Sequence, residues 1–192
     1  MEEDRVRDEL NAVKEAVEQL TGLRSRWSGN VILLASREIV ALKGTLTFAE
    51  KRWNCDVLVN ADLIATPTRW RTYIHEMLHF VSVGINETDV GRFRGWEEGV
   101  VEQTQRLFRQ DIFTRIRIDS PESAYAEMDR LWKLNSYIKA LEELRQVLLL
   151  DAEPYYLRLL QTPLNARLGL VRGFSSEPDY QRLFAYTIGK LR

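Results

Sequence analysis

The chain has 192 residues, 45% of them hydrophobic and 29% charged, with 27 Lys and Arg set against 28 Asp and Glu. That composition belongs to a globular chain of one ordinary core, and arginines such as Arg106, Arg109, Arg115 and Arg117 are interleaved with acidic and apolar residues, so no basic stripe is offered to nucleic acid. Apolar runs of the roughly eighteen residues that a membrane span needs are absent, and Cys55, the only cysteine, has no partner for an internal disulfide.

The N-terminus carries Glu2, Glu3 and Asp4 where a signal peptide would need positive charge. The expected location is therefore the cytoplasm, with secretion lacking a classical signal as the other route. Residues 3–20 place Val6, Leu10, Val13 and Val17 at helical spacing, which predicts an amphipathic helix ended at Thr21-Gly22. The interval that follows changes character. Residues 31–34, 38–42, 45–48 and 56–59 read as short strands, with Lys43-Gly44 as a hairpin turn, so a small mixed sheet is expected.

Thr66-Pro67 has the form of a helix start and Gly84 that of a stop, which predicts a helix over 67–83 with Trp70, Ile74, Met77, Leu78 and Val81 along one stripe. The stretch Gly95 to Glu102 is expected to lie on a further helix. Beyond it the pattern is helical: a capped start at Ser120-Pro121 leads into 122–150, read as one long helix or two. Shorter helices follow at 155–160 and 180–191, with Pro163, Gly169 and Gly173 breaking the chain between them.

The predicted helix over 67–83 holds the only two histidines of the chain, within His75-Glu76-Met77-Leu78-His79. Residues at i and i+4 share a helix face, so both imidazoles can reach one zinc ion, and Glu76 then lies beside the position where a water would lose its proton. A catalytic zinc takes three protein ligands. With no histidine left, the third must be a carboxylate or the thiol of Cys55, and Trp96-Glu97-Glu98-Gly99-Val100-Val101-Glu102 is the best source. A half-buried helix whose histidines merely hydrogen bond is the plainer alternative for the pentapeptide, and a solvated acidic face is the plainer one for the glutamates.

The pentapeptide, followed after eighteen residues by Glu98 in a Glu-Gly pair, resembles the gluzincin metallopeptidases, over a window from about Leu58 to Leu107. The resemblance implies a zincin-like α+β fold: a small N-terminal mixed sheet, the active-site helix, a ligand helix and a helical C-terminal half. It implies one Zn²⁺ held by His75, His79 and Glu98, with Glu97 as the competitor for ligation, and Glu76 as general base and then general acid. Gly99 would let the ligand helix approach the active-site helix, and Glu102 would hydrogen-bond a ligand histidine, with Asp89 or Asp129 as alternatives. It further implies an extended peptide or protein substrate paired to a sheet edge, either 45–48 or 56–59.

Two departures stand out. No segment like the free-amine anchor of the aminopeptidases is present, and no histidine remains to stabilise an oxyanion, which leaves Tyr125, Tyr137, Tyr155 and Tyr156 as candidates. A metzincin is excluded, because Ser82 stands where its glycine would and its third histidine is missing.

The chain is thus expected to be a single zincin-like domain, 1–110 carrying the sheet and metal-site helices and 111–192 forming a helical subdomain. The expected activity is zinc-dependent peptide-bond hydrolysis, with no nucleic-acid or membrane partner. The competing expectation is a zincin-fold protein without catalysis, a binding or assembly module using its leucine-rich C-terminal helices to meet a partner or a second copy.

Overall fold

The computed structural model describes residues 2–190. It is an α+β structure, helical for most of its length, with one three-stranded mixed sheet. The chain divides into two compact units, Met1–Val81 with Arg109–Pro121, and Ser82–Phe108 with Glu122–Arg192. The division expected near residue 110 falls inside a helix, Glu87–Arg115.

In the first unit, α1 (Glu2–Thr21) buries Val6, Leu10, Val13 and Val17 along its apolar stripe, and Arg69 pairs with Glu9 on its flank. Burial of that stripe in the unit's own core is what makes this isolated amphipathic pattern a stable helix. β1 (Val31–Leu34) runs parallel to β3 (Val57–Asn60), and β2 (Ala49–Lys51) pairs antiparallel to β3 on the other side. β3 is therefore the central strand, fully buried along its length.

Two local expectations change here. Residues 38–42 form no strand but helix α2 (Ser36–Lys43), started when the Glu38 carboxylate accepts the Ala35 N–H at 2.8 Å. The glycine taken for a hairpin turn is its C-cap, Gly44, at φ 73° with its N–H on the Val40 carbonyl, a conformation costly for any residue with a Cβ. Residues 45–48 then pass without strand structure and pairing begins at Ala49. As a result neither stretch expected to form the sheet edge does so: 45–48 is irregular and 56–59 lies at the centre, while β2 is the edge next to the following helix.

That helix, α3 (Arg69–Val81), follows a single turn of 3-10 helix at Ala61–Leu63 whose start is capped by the Asn60 side chain. It begins two residues later than expected because Thr66 and Pro67 use their carbonyls for the preceding turn, to the N–H groups of Arg69 and Trp70. Ten of its residues are buried, among them His75 and Glu76.

In the second unit, α4 (Glu87–Arg115) contributes its portion up to Phe108 and is interrupted at Phe93, whose backbone leaves helical geometry. α5 (Ser123–Leu131) and α6 (Asn135–Val147) resolve the stretch 122–150 into two helices, separated where Trp132 turns extended. α7 (Ala152–Gln161), α8 (Leu164–Arg172) and α9 (Pro178–Lys190) complete it. Of the expected breakers, Pro163 and Gly173 cap the two ends of α8 while Gly169 lies within it, and the expected helix end at Leu191 lies outside the described residues. Among the described residues no helix is long and apolar enough to cross a membrane.

Candidate metal centre

On α3, His75 and His79 lie one turn apart and direct the same ring nitrogen to the same point: their Nε2 atoms are 3.1 Å apart and their rings are nearly perpendicular, at 78°. Two donors about 2.0–2.1 Å from one tetrahedral ion would be separated by about 3.3–3.4 Å, so the pair stands within a few tenths of an ångström of that geometry. His75 is buried and His79 half-buried.

Glu76 is 7% exposed, and its Oε2 accepts the backbone N–H of Lys51 at 2.7 Å. Among the described residues no side-chain cation is in ion-pair contact with it. Lys43, at the end of α2, pairs with Glu50 and feels the charge of Glu76. Burial and the charge of Arg52 hold Lys43 below its ordinary value, partly countered by the Glu76 carboxylate. Lys51 and Lys43 carried no signal in the sequence. The first acts through its backbone, for which any non-proline residue would serve, and the second becomes a neighbour of Glu76 only because α2 and β2 fold together.

In the second unit, the two adjacent glutamates of α4 have different fates. Glu97 is 1% exposed, and its Oε2 accepts from Arg167 Nη1 at 2.7 Å and from the Ser82 hydroxyl at 3.0 Å. Arg167 in turn donates to Ser82 Oγ at 2.5 Å and to the Thr162 carbonyl at 3.1 Å. Glu97 is thereby committed to a buried ion pair, which weighs against it as a ligand. Glu98 is half-buried, and Arg94 stands 3.7 Å from its Oε1.

Glu102 is fully buried, and its Oε1 accepts from Arg106 at 3.0 Å. Arg106 is held also by the Asp129 carbonyl, at 3.1 Å, and its Nε stands 3.7 Å from the Asp129 carboxylate. Asp89, the other alternative, caps the exposed start of α4 with Asn86.

Gly99 marks a close approach within the second unit. A Cβ there would stand 2.9 Å from Leu141 Cδ1 and 3.1 Å from Tyr137 Cβ, so the glycine seats α4 against α6. The tyrosine candidates are also reduced by burial. Tyr125, Tyr155 and Tyr156 belong to the core of the second unit, and burial raises the phenols of Tyr155 and Tyr156 well above their usual range. Of the four, only Tyr137 is half-exposed.

No protein-family model, curated protein or solved structure matches this chain.

Proposed function

We propose that the chain is a zincin-type, zinc-dependent metallopeptidase of the cytoplasm, with His75, His79 and Glu98 as ligands of one Zn²⁺ and Glu76 as the general base. The observation that carries the reading is the 3.1 Å approach of the two Nε2 atoms on a buried helix with Glu76 between them in sequence. The donor set supports it as well: Glu98 is half-buried on α4 and stays outside the buried pair that engages Glu97. Two imidazoles and one carboxylate are a known catalytic zinc complement, which leaves a coordination position for water.

A bound zinc would supply Lewis-acid polarisation of the scissile carbonyl and a lowered pKa for the attacking water. The chain's own part is proton handling and exclusion of solvent. Glu76 Oε2 is held by Lys51, so Oε1 is the oxygen that takes the water's proton and passes it to the leaving amine. Burial of Glu76, 7% exposed, keeps bulk water away from that transfer. Glu102, tied to Arg106, is proposed to fix the ligand set from behind.

Elemental mass spectrometry after dialysis against metal-free buffer should find close to one zinc per chain. Glu76→Gln should retain that zinc and lower hydrolysis of a peptide library by about 10²- to 10⁴-fold. Hydrolysis retained in that variant would overturn the mechanism. A chain that takes up no zinc on reconstitution has a hydrogen-bonded histidine pair, and the reading as a binding module would replace this one.

A further inference from the structure

We infer that the backbone N–H of Lys51, on the outer edge of β2, is the group that positions the Glu76 carboxylate. Its consequence for catalysis rests on the metallopeptidase reading; the bond itself does not.

The argument begins with the ladder. At the two ends of β2, the Phe48 carbonyl accepts from Asn60 N–H at 2.9 Å and Arg52 N–H donates to the Asp56 carbonyl at 2.8 Å. In an antiparallel pair, successive residues alternate between bonding the neighbour and facing away from it. Ala49 and Lys51 therefore turn their backbone groups outward, where an edge strand ordinarily meets solvent. The Ala49 carbonyl is taken up locally by the Thr47 hydroxyl at 3.0 Å, and the Lys51 N–H goes to Glu76.

For Glu76 this bond matters because the residue is almost fully buried, and a buried carboxylate needs its lone pairs satisfied. Its side chain makes no other hydrogen bond among the described residues. The Lys51 ammonium is occupied elsewhere, lying 5.0 Å from the Trp53 ring centre and 5.7 Å from that of Phe80. One oxygen of Glu76 is thus anchored to the sheet through a charge-assisted bond, and the rotation of the carboxylate is restricted so that the other oxygen keeps one direction. The residue type at 51 is immaterial to this; the presence of an N–H is not.

That distinction gives the experiment. Lys51→Pro deletes the donor without deleting a ladder bond, because the nitrogen faces outward, and proline is tolerated on edge strands. Lys51→Ala keeps the donor and removes the side chain. With the full chain loaded with zinc, Lys51→Pro should lower kcat about tenfold or more with KM within about twofold and zinc content unchanged, whereas Lys51→Ala, which keeps the donor, should lower kcat far less. Wild-type kcat in a folded Lys51→Pro chain overturns the inference.

A second measurement needs no activity. In ¹H–¹⁵N spectra of the unsubstituted chain the Lys51 amide should exchange slowly, and Glu76→Ala should speed its exchange by about tenfold. Exchange as fast as that of an open edge, or unchanged in Glu76→Ala, overturns the inference even if Lys51→Pro does not fold. A protected Lys51 amide in a chain that binds zinc yet hydrolyses nothing supports the bond and overturns the metallopeptidase reading instead.

Discussion

The molecule contains two regions built around a buried glutamate, and they treat the charge in opposite ways. In the second unit, Glu97 meets Arg167 and Ser82 in a closed knot, with the ion pair at 2.7 Å and both partners fully buried. On α3, Glu76 is buried to a similar degree but has a single backbone N–H and, among the described residues, no cation at ion-pair distance. A buried carboxylate matched by a guanidinium and a hydroxyl has nothing left to offer a reactant. One left with an oxygen uncommitted, one residue from a histidine pair, still has an acceptor to offer, as the proposed general base requires.

The difference can be broken most forcefully at the knot. Arg167→Ala leaves Glu97 charged and unmatched in the interior, and should cost about 3–5 kcal/mol, measured by urea unfolding followed by circular dichroism. By contrast, Arg167→Met with Glu97→Leu, which removes both charges, should recover most of that loss. Failure of the double variant to recover would mean that the knot does more than neutralise itself.

At the metal turn the effect should appear only when zinc is added. Zinc at a hundredfold excess over its dissociation constant should stabilise the wild type by about 2.7 kcal/mol, which for a chain of this size is a rise in Tm of roughly 5–10 °C. His75→Ala should abolish that rise while leaving the metal-free Tm within a few degrees. A large loss of metal-free stability would instead make His75 a core residue and erase the contrast with Glu97.

The smallest effect probes the packing beside Glu98. Gly99→Val drives side-chain atoms into Leu141 and Tyr137 and should cost about 1–3 kcal/mol in the same unfolding assay, with zinc affinity changed less than in Glu98→Ala. An equal loss of affinity in both variants would indicate that the seat of α4 on α6 controls the ligand set.

What was legible from the sequence follows from local periodicity and spacing. The stripe of Val6, Leu10, Val13 and Val17 identified α1 because it repeats at the helical period, and Val31 to Leu34 identified β1 as a short continuous apolar run. The segment 38–42 was misread because its mixture of Ile39, Val40 and Leu42 fits a strand as well as one helix turn. The Glu38 cap and the left-handed Gly44 resolved it. Likewise Gly99 signals a close approach without saying to what, and within the second unit the neighbour is α6.

For the candidate site, the pentapeptide by itself determined that two imidazoles and a carboxylate share one helical turn, because the i, i+4 relation is a property of any α-helix. Spacing already favoured Glu98 over Glu97 as a ligand, and only the tertiary structure shows Glu97 engaged by an arginine seventy positions away in sequence. Only it could reveal the Lys51 donor, which is a backbone group and leaves no mark on residue type. The physical reason is the same in both cases. Helical spacing is set by covalent geometry and local hydrogen bonds, whereas the neutralisation of a buried charge depends on which distant segments pack around it.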